Sequence, residues 1–380
     1  MDTHEVDLLM DTATRWFASH ADQAASLETD GPDATLVWQA YADLGWLALT
    51  LPEACGGVGA DTQTALRLAR LNGRALASTP LELHLMLAPW LLRIGGATPS
   101  AWAEDLASGA MRLGLADAGR QAVITGGCIT VQSTEVYGGA TATHILVIGC
   151  DSETARECVA LLSADAAGVV RSPARWLDGR PCVRVLASEA AATVLQEAKT
   201  LEVSREPAPA PGPKAAPEPM HEPAFEPAPD LARQLRLRAS TALAADAAGA
   251  FEAAFDMTLV YLKQRVQFGK PLSTLQAVQH GMADIFCDLQ QLLALVERLG
   301  LEDADGNGAD PNTLVATKSQ LGRHALRGLG QLIQLSGGIG VTDEYRLGRY
   351  YKRLHVAATL FGTFEDVLRE LDIRQALVTA

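Results

Sequence analysis

Arg265-Val-Gln-Phe268-Gly269-Lys-Pro-Leu-Ser-Thr-Leu-Gln276, followed by His280-Gly-Met-Ala-Asp284, is the stretch around which this chain of 380 residues reads most clearly. A long apolar run ending at Tyr261-Leu262 leads into it, and a new helical run starts directly after it. The Phe-Gly pair lets backbone and a flat ring come close to a planar ligand, because glycine carries no side chain to hold them off. Arg265 offers a rigid fork of donors that matches a pyrophosphate. Taken alone, the same residues also describe a helix–turn–helix corner with a surface arginine.

Composition narrows the classes. Apolar residues make up 48% and charged residues 20% of the chain, the balance of an ordinary globular protein of two or three domains. A net charge of −14 without a basic cluster speaks against nucleic-acid binding. No apolar run reaches the length of a membrane span; Leu83 to Leu92 is short and interrupted by His84 and Pro89. The start, Met1-Asp-Thr-His-Glu-Val-Asp, is acidic and has no secretory pattern. Six scattered cysteines without a Cys-x-x-Cys pair read as reduced thiols of a cytoplasmic protein, with no metal site.

Along the chain, three blocks and an insertion stand out. Apolar spacing predicts helices over 4–27, 34–44, 62–70 and 81–92, with a glycine-rich loop at Pro52-Glu-Ala-Cys-Gly56-Gly57-Val-Gly59. From Leu113 the pattern turns to short β-branched runs: 123–124, 128–131, 144–148, 158–162 and 183–186. Residues 205–230 hold nine of the eighteen prolines, which predicts an extended linker without helix or sheet. Helices are predicted again over 231–264, 276–299 and 313–335. Glu302 to Asn312 is an acidic turn that lacks the closing glutamate of a calcium loop. The domain expectation is 1–112 helical, 113–204 β, 205–230 linker and 231–380 helical.

Three motifs in order resemble the acyl-CoA dehydrogenase flavoenzymes: Pro52-Glu-x-x-Gly-Gly-x-Gly59, Arg265-x-Gln-Phe-Gly-x-Pro-Leu with Gln276, and Gln334-x-x-Gly337-Gly338-x-Gly340. The resemblance implies an α+β fold: an amino-terminal helical bundle, a middle β-barrel and a carboxy-terminal four-helix bundle. It implies FAD held by Arg265, Phe268, Gln276, Gln334, Gly337, Gly338, Thr363 and Glu365, with the Gly337-Gly338 turn reaching a neighbouring subunit's flavin. The implied partners are an acyl-CoA substrate, a homologous subunit in a dimer or tetramer, and an electron-transfer flavoprotein. The tail Thr342-Asp-Glu-Tyr-Arg-Leu-Gly-Arg-Tyr-Tyr-Lys-Arg-Leu354 looks like the smaller partner subunits of heteromeric members, those acting on dicarboxylyl-CoA or steroid side-chain CoA esters.

The chain departs from the family pattern where the chemistry should sit. The family removes an α-proton with a carboxylate that precedes a Gly-Thr pair, and here Phe361 precedes Gly362-Thr363. The alternative base position, on the long helix before the arginine motif, holds Ala239. Leu113-Gly-Leu-Ala-Asp-Ala-Gly-Arg120 lacks the family's Thr-Glu-Pro and Ser-Asp at the barrel entry, so no flavin contact is assigned there. Asp246, seven residues beyond Ala239 and on nearly the same helix face, is the one carboxylate nominated as a displaced base; pairing with an arginine across the bundle is its competing role. Three functions follow: a base-less flavin-binding partner subunit, a self-sufficient dehydrogenase using Asp246, or a flavin-free scaffold.

Overall fold

The computed structural model describes residues 1–27, 32–94, 99–195, 230–304 and 306–369. The first block is helical: α1 (Thr3–Ser19), α2 (Ala21–Ala24), α3 (Pro32–Asp43), α4 (Thr62–Arg74), α5 (Leu81–Ile94) and α6 (Pro99–Ser108). Asp2 and Glu5 form a reciprocal capping box that starts α1. Where one helix is expected over 4–27, the chain breaks at His20, whose ring stacks on Trp16. Trp16, Phe17, Tyr41 and Trp46 then meet in one aromatic cluster, with ring centroids 5.2–6.1 Å apart.

Seven strands follow: β1 (Leu113–Asp117), β2 (Ala122–Thr125), β3 (Cys128–Val136), β4 (His144–Asp151), β5 (Glu157–Ser163), β6 (Val169–Arg175) and β7 (Pro181–Leu195). Pairing runs β4-β2-β3-β7-β5 and returns from β5 to β4, so the sheet closes into a barrel; β1 adds to β4 and β6 to β7. Alternation along β4 serves two cores. Ile145 and Val147 fill the barrel, whereas Leu146 and Ile148 belong to the core shared with the helices. Strands β1 and β6 lie outside the predicted runs. Leu113-Gly-Leu-Ala-Asp117 is short and holds a glycine, and β6 is a largely exposed edge strand carrying Pro173.

The last block comprises α7 (Leu231–Gln264), the two-residue strands β8 (Val266–Gln267) and β9 (Lys270–Pro271), α8 (Gln276–Glu302), α9 (Pro311–Ser319), α10 (Leu326–Ser336) and α11 (Leu347–Thr359). A π-helical stretch over Gln320–Ala325 divides the helix expected over 313–335 into α9 and α10. The linker expectation for 205–230 falls outside the described residues, save Asp230, whose carboxylate caps α7 by accepting from the Arg233 N–H at 3.1 Å.

Helix α7 is the spine of the fold, and its alanines explain why. Ala239, Ala242, Ala244, Ala245, Ala247, Ala248 and Ala250 are all fully buried, so neighbours approach α7 from every side. Its crossing with α4 is the closest. A Cβ on Gly73 would lie 1.8 Å from the Asp246 carbonyl oxygen, and one on Gly249 would lie 1.8 Å from that of Arg70. Only glycine fits at either position.

Candidate cofactor surface and base positions

Helix α7 ends at Gln264 with Arg265 as its extended cap, and the β8–β9 hairpin turns through Phe268 and Gly269 at φ +53° and +77°. The hairpin is pinned by the Leu272 N–H donating to the Arg265 carbonyl at 2.9 Å. Phe268 is left 87% exposed in a left-handed conformation that a bulky residue rarely adopts. Arg265 is exposed, and its guanidinium has no hydrogen-bond or ion-pair partner among the described residues. Gln276 begins α8 and is also exposed.

The second glycine motif ends α10. Tyr345 packs on Tyr261 of α7 at 5.9 Å, and its hydroxyl donates to the Met257 carbonyl at 3.3 Å. Gln334 is exposed on the last turn of α10, which ends at Gly337 with φ +67°. Neither Gly337 nor Gly338 has any atom within 4 Å of where a Cβ would stand, so both offer bare backbone to a ligand or a neighbour. The Arg265 guanidinium, unpaired among the described residues, and the bare backbone at Gly337-Gly338 are each donors of the kind a pyrophosphate takes. Thr363 and Glu365 are engaged otherwise. The Thr363 hydroxyl donates to Asp366 at 2.7 Å, and Glu365 faces Arg323 at 3.8 Å.

The two base positions converge in the interior. Ser240, next to fully buried Ala239, donates to the Phe361 carbonyl at 3.5 Å. Phe361 is 7% exposed at φ +57°, and its ring meets the edge of Tyr137 at 6.1 Å. Lys318 holds this turn from beneath: its Nζ donates to the Ala357 and Leu360 carbonyls at 3.0 and 2.8 Å. These are carbonyls that the end of α11 leaves without helical partners. Burial pushes the Lys318 ammonium down to about 7. Hydrophobic side chains fill both positions where a carboxylate is expected.

Asp246 lies elsewhere, fully buried at the α4–α7 crossing. The Arg353 guanidinium of α11 grips it with two bonds, Nε to Oδ2 at 2.7 Å and Nη2 to Oδ1 at 2.8 Å, and Asn72 donates to Oδ1 at 3.2 Å. This geometry favours the arginine-pairing role of Asp246 over that of a displaced base. Both oxygens of this carboxylate are held by one guanidinium, and the side chain is fully buried.

Sequence reading missed most of what surrounds Asp246. Arg353 also contacts Asp178 at 3.7 Å and donates to the Ala77 carbonyl at 2.7 Å. Asp178 accepts from Arg180 Nε at 2.5 Å, Arg180 donates to the Tyr137 hydroxyl, and Tyr137 donates to Glu82. Asn72 closes the ring by donating to Glu82 at 3.1 Å. The available signal was Glu82 itself: a charged residue inside the apolar run of α5 must be paired, protonated or both. The Arg238 guanidinium, buried beside Ala239, spans to Asp303 at 3.2 Å, and Asp303 is itself buried. Among the described residues no cluster of three or more His, Cys, Asp or Glu is arranged to hold a metal ion, and no helix is long and apolar enough to cross a membrane.

Family models match both ends of the chain: acyl-CoA dehydrogenase, N-terminal domain, over 3–110, and acyl-CoA dehydrogenase, C-terminal domain, over 237–376. The acyl-CoA dehydrogenase IpdE2 of Mycobacterium tuberculosis is 28% identical over 375 residues, spanning 97% of this chain and 96% of that protein. Two solved structures are similar in fold. The Tcur3481–Tcur3483 steroid ACAD superposes with a TM-score of 0.80 at 23% identity, covering 99% of each chain. The ChsE4–ChsE5 complex from Mycobacterium tuberculosis gives 0.77 at 18% identity, covering 99% of this chain and 98% of that one.

Proposed function

The chain belongs to the acyl-CoA dehydrogenase family, and from that premise we propose that it is a flavin-binding partner subunit without a catalytic base of its own. The family's members are FAD-dependent oxidoreductases acting on the CH–CH bond of acyl-CoA esters. One observation carries the proposal: Phe361 and Ala239 fill both base positions as buried apolar side chains. Neither can accept a proton, and Asp246 is committed to Arg353. The reading assigns the base to a homologous subunit.

In this reading the chain supplies binding and orientation. When bound, FAD would supply a hydride acceptor for the β-carbon of the acyl thioester. Arg265 holds the pyrophosphate, Phe268 and Gln276 flank the cofactor, and Gln334 with the bare Gly337-Gly338 backbone contacts the flavin of a neighbouring chain. Thr363 and Glu365 are the remaining flavin contacts that the family resemblance implies, and they would have to exchange Asp366 and Arg323 for the cofactor. Exposed Phe268, Val266 and Val341, at 87%, 53% and 77%, favour a partner over this end of the bundle. The names of the structural relatives support a steroid-type acyl-CoA substrate and a paired homologue. Electrons pass on to an electron-transfer flavoprotein, and six free cysteines support the cytoplasm as the place of action.

The test is a visible spectrum of the chain purified alone and co-expressed with a homologous subunit, followed by anaerobic addition of acyl-CoA esters. Flavin colour that bleaches only in the pair is the expected result. A yellow protein that bleaches alone overturns the partner-subunit reading. No flavin in either preparation leaves the flavin-free scaffold.

A further inference from the structure

The ring around Asp246 brings more carboxylates than guanidiniums into contact; a third guanidinium, Arg349 of α11, acts on Asp178 only at longer range and donates to the Ala25 carbonyl at 2.7 Å. Three carboxylates, Glu82 of α5, Asp178 of the β6–β7 turn and Asp246 of α7, share two guanidiniums, those of Arg180 and Arg353. The side chains of all five are at most 5% exposed. The other polar groups facing Glu82 are neutral: Asn72 of α4, Tyr137 at the end of β3, and Tyr41 of α3, which reaches it through Asn72 and takes a bond from Thr79. His84, two residues along α5, turns away to the Leu47 carbonyl at 3.0 Å and packs on Trp38.

We propose that the folded chain holds one bound proton at this junction, on the Glu82 carboxyl, and that its release as pH rises loosens the union of the helical bundle, the barrel and the carboxy-terminal helices. The geometry selects Glu82. Asp246 takes a bidentate guanidinium, and Asp178 takes Arg180 Nε at 2.5 Å with Arg353 Nη1 at 3.7 Å. Glu82 has only neutral donors within bonding distance, with Arg180 Nη1 at 3.7 Å. A buried carboxylate whose nearest cation stands at 3.7 Å, without a direct hydrogen bond from it, is costlier to ionise than one gripped by a guanidinium. Burial first, and the nearby Asp246 second, push the Glu82 carboxyl up to about 7. The step is a simple protonation of the carboxylate, with solvent as the only proton source.

The sign of the effect follows from linkage. A carboxyl raised from 4.5 to about 7 stabilises the fold fully below pH 4.5, and that stability is lost as pH rises to about 7. His84, pushed by burial down to about 4, runs the opposite way over much of that window and hides the effect in the wild type. The difference between wild type and Glu82→Gln removes His84 from the comparison. Denaturant unfolding of both full-length proteins, in the assembly in which they purify, measures it. Across this window the ratio of their unfolding constants shifts by about tenfold per pH unit, with the variant gaining as pH rises. A ratio that is flat over the window overturns the proposal. If the variant does not fold, difference infrared spectra of the native wild type decide: a protonated-carboxyl band present at about pH 6 and gone by about pH 8 is expected, and its absence at the lower pH overturns the proposal.

Discussion

Taking the charge from Asp246 leaves the Arg353 guanidinium buried without its main counter-ion, so Asp246→Asn should cost about 3–5 kcal/mol of stability. Any flavin colour the protein carries should survive where the variant folds, because Arg353 and Asp246 lie in the interior and Arg265 on the surface. Unfolding curves and a visible spectrum together check this. A loss of turnover at full stability would instead restore Asp246 as a base. Lys318 carries a second prediction. Its pKa falls from 10.5 to about 7 on folding, so the penalty for burying it charged is full below pH 7 and fades as pH rises to 10.5. Compared with Lys318→Met, the wild type should therefore gain up to about 5 kcal/mol between these limits, read from urea midpoints at several pH values. Single residues were unevenly legible in the sequence. The loss of a base at Phe361 and Ala239 is visible as identity alone. The partners of Asp246 are not, since Asn72, Asp178 and Arg353 are far apart along the chain and converge only through packing.

At the scale of elements, the α4–α7 crossing is the tightest contact and makes the sharpest prediction. Gly249→Ala puts a methyl 1.8 Å from the Arg70 carbonyl oxygen, an overlap that only a shift of one helix relieves. A cost of about 3 kcal/mol or more is expected, visible as a lowered denaturant midpoint. Gly322→Ala, with no atom within 4 Å of the new methyl, is the control and should change little. Sequence periodicity found α7 and α8 at nearly their full length, because alanine runs and apolar spacing persist over many turns. It missed β6 and α11 for opposite reasons. β6 exposes most of its residues as an edge strand, and α11 buries Tyr350 and Arg353, residues that read as polar surface when met in order. The π-helical stretch before α10 changes the phase of the pattern by one residue, which no hydrophobic spacing announces.

For the whole molecule, the order helices, barrel, helices was legible from two changes of period and three motifs. The closure of the barrel through β4 and β5 was not, because register between distant strands is settled by a core the sequence does not display. The crossing of α4 with α7 has a further consequence. These helices belong to opposite ends of the chain, yet they touch backbone to backbone, and α5 and α11 also pack on α7. Covalent continuity between Leu195 and Asp230 is therefore not what keeps the ends together. A protease site inserted between those residues and cut after folding should give two fragments that elute as one species under native conditions and separate only in denaturant. Fragments that part without denaturant would refute this. If they stay joined, the protein is a natural candidate for splitting, its two pieces made from separate messages and complementing each other inside one cell.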